Sequence, residues 1–276
     1  MTRKVRATVV VPLLSQRDDW LRACVLSALD QTIATSVVVV TAARTPSSNR
    51  DTLAELQRRS EDLHFFERPT GHGFAHAINA GFQFASTERV GLLLSDDWLL
   101  PDAVESCVAV DADMVVTGRQ AYAADGTTHL WTRVPSREKF DALTTLEEKA
   151  GLVGHFLLFR RERFLAVGGV DADVGLTGAD DYDLPWTLLE HGASVGFVER
   201  ALYGYRDHDE TRLTLRDREV QVRDLRRVLA KHGLAAEEIE RLVRRKEKWF
   251  GVPSHYALEN PDWYREASRA DESGEH

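Results

Sequence analysis

The stretch Arg89-Val90-Gly91-Leu92-Leu93-Leu94-Ser95-Asp96-Asp97-Trp98-Leu99-Leu100-Pro101-Asp102 decides how this chain folds. Its apolar run, 90–94, reads as a strand buried on both faces. The run ends in two adjacent carboxylates, and Pro101 stands where a helix can begin with Asp102 in its first turn. Acids at the C-terminal end of a central strand lie on the edge where open α/β sheets bind ligands. Side by side, the two charges repel and need water or a cation. A hard divalent ion, Mg²⁺ or Mn²⁺, that also holds phosphate oxygens is the functional answer. A solvated turn, with Asp97 or Asp102 capping the next helix, is the alternative, and the pair taken alone favours it. Its neighbours reverse that balance.

Upstream, 5–13 is a β-branched first strand closed by Pro12. Residues 18–29 carry Trp20, Leu21, Val25, Ala28 and Leu29 at helical spacing, with Asp18 or Asp19 as the N-cap candidate. A second buried strand (36–41), an amphipathic helix (52–59) and a third short strand (63–66) follow. This alternation predicts a mainly parallel, doubly wound α/β sheet. A Gly71-His72-Gly73 turn then runs into a helix bearing His76, Asn79 and Gly81, whose free amides can face an anion. His72 and His76 have the spacing of a shared metal site, although a loop residue and a helix-face residue are the commoner outcome. Gly81 within an apolar helix costs about 1 kcal/mol against Ala, which predicts close packing on another backbone or a ligand.

Downstream, 103–110 reads as helix, 114–118 as strand and Asp125-Gly126-Thr127 as a hairpin turn. Trp131 and Arg133 either line an acceptor groove or pack on the sheet. A strand (156–159) and a short helix (163–167) capped by Gly168-Gly169 precede a second acidic pair, Asp180-Asp181. Pro185 is tolerated in a first turn, so that helix should begin near Asp181 or Tyr182, with the acids at its N-terminus. A final strand (194–198) leads into a polar segment, 203–211, rich in potential ligands. Beyond Arg216 two helical stripes, Val220/Leu225/Val228/Leu229 and Ile239/Leu242/Val243, predict a C-terminal helical appendage. It should pack on the sheet domain, with a homo-oligomer contact as the alternative.

The chain has 276 residues, and 35 Lys and Arg stand against 44 Asp and Glu for a net charge of −9. That sign argues against nucleic acid, an anionic membrane surface and polyanionic acceptors. Two distant cysteines, Cys24 and Cys107, form neither a metal spacing nor a disulfide framework, which suits a reduced, cytoplasmic setting. No signal peptide is expected, and no apolar run approaches the ~20 residues of a membrane span.

Four features occur in one order: the Pro-ended first strand with a helix ending Asp30-Gln31-Thr32, then the Gly73…Asn79…Gly81 helix, then Asp96-Asp97…Leu100-Pro101-Asp102, then Gly168-Gly169-Val170-Asp171…Asp180-Asp181-Tyr182-Asp183-Leu184. Together they resemble the GT-A fold glycosyltransferases of family 2, over about residues 5–212. The resemblance implies a GT-A domain at 1–213, the helical appendage at 214–266 and a disordered tail at 267–276. It implies inverting transfer of a sugar from a nucleoside-diphosphate donor to an acceptor hydroxyl. Asp97, with Asp96 beside it and His208 as a further ligand, would hold Mn²⁺ or Mg²⁺ against the diphosphate. Pro12, Leu14, Gly73, Asn79, Ser95 and Asp96 would line the donor. Asp181 is the expected base with Asp180 as its competitor, and Tyr182 joins Trp131 and Arg133 on the acceptor side.

The chain also departs from the family. Thr41-Ala42-Ala43-Arg44 replaces the acids that usually follow the second strand, and Leu94 replaces the first Asp of the common Asp-x-Asp-Asp form. A catalytically inactive binder of nucleotide or glycan is therefore the competing expectation. A nucleotidyltransferase ranks last, because Leu13-Leu14-Ser15-Gln16 is not a Gly-rich basic loop.

Overall fold

The computed structural model describes residues 4–68, 73–153, 156–173, 180–208, 218–252 and 260. The expectations for His72, for 209–217 and for the tail at 267–276 lie outside the described residues, as does the side chain of Asp180.

Valine runs build the sheet. Strands β1 (Ala7–Pro12) and β2 (Thr35–Thr41) are almost wholly buried and pair in parallel, Val9 opposite Val37 and Val11 opposite Val39. Strand β3 (Leu63–Glu67) joins β2, and β4 (Arg89–Leu92) joins the other side of β1, both in parallel. Alternation sends Val9, Val11, Val37 and Val39 into one core and Val10, Val38 and Val40 into the opposite one. The first is covered by α1 (Asp18–Leu29), α2 (Ser47–Gln57) and α4 (Ala103–Val108), through residues such as Leu21, Leu53 and Val104. The second is covered by α3 (Phe74–Phe84), through Ile78 and Phe82. Cys24 and Cys107 are free thiols buried in the first core.

Capping differs from expectation. Arg17, not an aspartate, is the N-cap of α1, and Asp18 instead accepts a 2.6 Å bond from Asn49 Nδ2. Asp102 is the N-cap residue of α4, but its carboxylate makes no capping bond and receives Arg200 Nη1 at 2.7 Å.

Beyond β4 the sheet becomes mixed. Its remaining strands are β5 (Trp98–Leu99), β6 (Met114–Tyr122), β7 (His129–Arg133), β8 (Phe156–Arg160) and β9 (Val195–Arg206). Among the described residues the order is β3-β2-β1-β4-β8-β6-β9-β5, with β7 paired to β6. Strand β8 runs antiparallel to β4 and β6, whereas β9 runs parallel to β6 and antiparallel to β5. The α/β class stands, with its parallel half in the first four strands. Two strands outrun their expected lengths, β6 reaching Tyr122 and β9 reaching Arg206. Register shifts between Thr117 and Arg119 bend the β6·β9 ladder and let it continue past the sheet's body. The segment 203–206, polar enough to read as a loop, is therefore strand.

The remaining helices are α5 (Arg137–Ala142), α6 (Leu146–Leu152), α7 (Arg161–Ala166), α8 (Asp180–Glu190), α9 (Arg218–Lys231) and α10 (Ala236–Lys246). A capping box between Thr145 and Glu148 opens α6. Helix α7 closes in a Schellman turn. Gly168 N donates to Leu165 O and Gly169 N to Phe164 O, both at 3.0 Å, and both glycines have positive φ. Pro185 is the sixth residue of α8, not part of its first turn, so the Asp181 carbonyl receives no amide from position 185.

Helices α9 and α10 pack on α8 and α6. Leu225, Val228, Leu229, Leu242 and Val243 close over Tyr182, Trp186 and Ala150, so the stripes of the appendage serve a contact within the chain. A polar clasp sits beside that cluster. Buried Asp183 accepts from Lys231 Nζ at 2.7 Å and His232 Nε2 at 3.0 Å, and His232 stacks on Trp186 with ring centroids 4.2 Å apart.

Two stability predictions follow from this packing. A Cβ at Gly169 would collide with Asn79 Oδ1 and the Phe164 ring, whereas one at Gly168 meets nothing within 4 Å. Gly169→Ala should lower unfolding free energy by about 2–4 kcal/mol and Gly168→Ala by about 1 kcal/mol, read from urea midpoints. Asp183→Asn, which weakens the clasp on α9, should cost about 1–3 kcal/mol in the same assay.

Candidate active site

After β4 the chain turns through Leu93–Asp97, with Asp97 N donating to Leu94 O at 3.1 Å, and then enters β5. Strand β5 lies against β9, Trp98 opposite Gly204 and Leu99 opposite Tyr203. A side chain at Gly204 would strike the Trp98 indole, so a glycine is needed for the ring to lie on the strand.

The two adjacent acids take different environments. Asp97 is only 1% exposed. Its Oδ2 accepts from the Tyr203 hydroxyl and its Oδ1 from the Arg206 backbone N–H, both at 2.7 Å. Burial first, and then Asp97 itself, push the Tyr203 phenol well above its ordinary range, so it remains a donor. Asp96 is the half-buried member, and its Oδ2 lies 3.0 Å from His208 Nε2. The expected division is thereby corrected. Asp97 knits the turn to β9, and Asp96 with His208 forms the pair that presents a carboxylate and an imidazole together.

His208 is buried, its ring centroid 4.7 Å from that of Trp20, and its Nδ1 has no hydrogen-bond partner. Arg206 braces the same corner. Its guanidinium lies 4.7 Å from the Trp20 ring and 5.1 Å from Trp98, while Nε donates to Asp96 O at 3.0 Å and Nη1 to Ala124 O at 2.8 Å. Among the described residues no cluster of three or more His, Cys, Asp or Glu side chains is set to enclose an ion.

Helix α8 is gripped from both sides, Leu184 in the sheet core and Tyr182 and Trp186 against the appendage. Asp181 stays half-buried at its start. Tyr182 is corrected from its expected acceptor role, because it is 7% exposed and its hydroxyl donates to Glu147. Lys246 lies 3.9 Å from the Tyr182 ring and 3.2 Å from Glu147 Oε1, and burial pushes its pKa down.

The other expected contacts divide similarly. Asn79 does not face a donor: its Nδ2 donates to Val170 O at 2.8 Å and its Oδ1 accepts from Val170 N at 2.9 Å, clamping the double-glycine turn. Gly81 is where α3 presses on Val10 of β1, so its missing side chain serves packing. Pro12 is buried at the end of β1, Leu14 is 57% exposed beyond it, and Ser95 is half-buried in the acidic turn. Gly73 is the N-cap of α3 and its carbonyl accepts from Arg68 Nη1. Trp131 and Arg133 lie on β7 at the margin of the cleft.

Arg119, on β6, was not foreseen. Its guanidinium lies 5.1 Å from the Trp131 ring and 5.7 Å from Tyr205, and its buried Nε has no partner. Burial pushes its pKa down, while the charges of Asp181 and Asp97 both reach it and oppose that shift. Arg119 therefore feels the charge of both acidic segments. Its sequence signal was faint, since it follows Gly118, where the strand was expected to stop.

The model described as "Glycosyl transferase family 2" matches residues 8–167. The chain is 30% identical over 183 residues to a chondroitin synthase of Pasteurella multocida (strain Pm70), and equally so to a hyaluronan synthase of Pasteurella multocida. Each match covers 63% of this chain and 18% of the relative, so the chain spans only a fraction of those synthases' length. S. aureus TarS 1-349 in complex with UDP-GlcNAc superposes with a TM-score of 0.60 at 15% identity, over 87% of this chain and 70% of that one, a likeness of fold. The matched span covers more than half of the chain and holds the first strand, Asn79 and the acidic turn in that order, and on that basis this chain belongs to glycosyl transferase family 2.

Proposed function

We propose that the protein transfers a sugar from a nucleoside-diphosphate donor to an acceptor hydroxyl with inversion, assisted by Mn²⁺ or Mg²⁺. One observation carries the reading: Asp96 pairs with His208 in the turn after β4, Asp181 stands at the start of α8, and the charges of Asp181 and of Asp97, the neighbour of Asp96, both reach Arg119. The TarS complex with UDP-GlcNAc supports a nucleotide-sugar donor, and the two Pasteurella synthases support a saccharide product.

Asp96 and His208 would hold the metal. The unpartnered Nδ1 and the 3.0 Å spacing of Nε2 from a carboxylate oxygen fit an imidazole free to ligate. When bound, the ion neutralises charge on the departing diphosphate. Asp181 accepts the acceptor's hydroxyl proton. The acceptor oxygen then bonds to the anomeric carbon from the face opposite the leaving diphosphate. As that bond forms, the carbon–phosphate-oxygen bond breaks and its electron pair leaves on the nucleoside diphosphate. A single displacement inverts the anomeric centre. The α8 N-terminus favours Asp181 as carboxylate, the form a base needs. Asp97, through Tyr203, keeps the Asp96 turn in place without touching substrate. Free, buried Cys24 and Cys107 support a reducing, cytoplasmic workplace, and among the described residues no helix is long and apolar enough to cross a membrane.

A thermal-shift panel of nucleoside diphosphates with Mn²⁺ or Mg²⁺ tests the donor half of this proposal. At least one pair should raise Tm in the wild type, and Asp96→Asn should abolish the ion-dependent part of the rise; no shift with any pair would overturn the reading. Asp181→Asn should retain that shift yet lose about 10²–10⁴-fold in sugar transfer, measured as nucleoside-diphosphate release that depends on acceptor.

A further inference from the structure

Strand register brings an uncommitted pair of cations and an aromatic platform onto one face beside the cleft. Arg119 is opposite Arg133 on β7 and Tyr203 on β9, while Ala121 is opposite Trp131 and Tyr205. With side chains alternating along each strand, these positions share a face. Ala121 is small, so the Trp131 and Tyr205 rings approach across it to 6.2 Å between centroids. The Arg119 guanidinium spans both rings.

Neither arginine is satisfied within the chain. Among the described residues neither the Arg119 nor the Arg133 guanidinium makes a hydrogen bond or ion pair, Arg119 Nε is buried without a partner, and the two cations repel one another. Holding a part-buried guanidinium without an acceptor beside a second cation is unfavourable, and an arriving anion relieves it. The planar fork of arginine matches carboxylate and phosphate oxygens in pairs, and indole and phenol faces offer flat apolar surface to the C–H face of a pyranose.

Accepting the transferase reading above, we infer that this face is the acceptor subsite and that it takes a saccharide carrying an anionic group, a carboxylate or a phosphodiester. Trp131 and Tyr205 support the ring, and Arg119 and Arg133 receive the anion. The donor diphosphate belongs at Asp96 and His208 in the turn after β4, whereas the two guanidiniums and two rings gather on the β6–β7–β9 face. The chain's net charge of −9 steers anions away in general, which makes two unpaired cations at one place more pointed.

Calorimetric titration of the full chain tests this with four probes: a tetra-galacturonate, its carboxyl-reduced neutral counterpart, a glycerol-phosphate oligomer, and a nucleoside diphosphate with Mn²⁺. At least one anionic oligomer should bind about tenfold or more tighter than the neutral saccharide, the stronger of the two identifying carboxylate or phosphate as the recognised group. Arg119→Gln and Arg133→Gln should each remove most of that preference while nucleoside-diphosphate affinity is retained. Arg133 is exposed at the end of β7, so its variant remains informative if Arg119→Gln melts early. Equal binding of neutral and anionic probes overturns the inference. So does a preference that survives both substitutions, or a loss in Arg119→Gln that falls on the nucleoside diphosphate instead. Absence of nucleoside-diphosphate binding by the wild type would sink the transferase reading, and the comparison of charged with neutral saccharide still decides the subsite.

Discussion

A buried carboxylate holds this site together. Asp97 receives one donor from the Tyr203 hydroxyl and another from the Arg206 backbone, so the turn after β4 and the end of β9 share a single anchor. Charge-assisted bonds in a low-dielectric interior are strong, and a buried carboxylate robbed of them would be costly. The anchor explains why two segments more than a hundred residues apart arrive together. It also explains why adjacent aspartates behave so differently. One is a structural tie, and its neighbour is left beside His208.

A second constraint acts on Asp181. Helix α8 contributes Leu184 to the sheet's core and Tyr182 and Trp186 to the appendage's core. Two hydrophobic surfaces therefore fix its rotation, and the Asp183 clasp fixes its position along the axis. Asp181, one residue from Tyr182, inherits that placement. The C-terminal helices thus help to set where Asp181 stands.

Much of this was legible in the residues. The valine runs of β1 and β2, the stripe of α1 and the glycine pair after α7 each state a local rule that tertiary packing does not contradict. The ordered motif set pointed to the family whose model matches residues 8–167. What was not legible depended on partners distant in sequence. No local pattern tells which of two adjacent aspartates will meet a tyrosine from β9. Asn79 looked like a donor contact because its true partner, the Val170 backbone, comes 91 residues later. Tyr182 looked like a cleft residue until α10 covered it. Strands β6 and β9 run further than their sequence suggests because a polar, aromatic and glycine-containing stretch resembles a loop when read singly, and Arg119 lies in that further half of β6.

The bare Cα of Gly204 has a wider meaning. By admitting the Trp98 indole flat on β9, it lets two indoles roof the Arg206 guanidinium, so the floor beneath the acidic turn becomes one interlocked block. The margin is built otherwise, with Leu14 at 57% exposure and Arg133 open to solvent. Descendants of this scaffold are thus free to trade substrates by redecorating the brim, while the keystone under the chemistry tolerates no such revision.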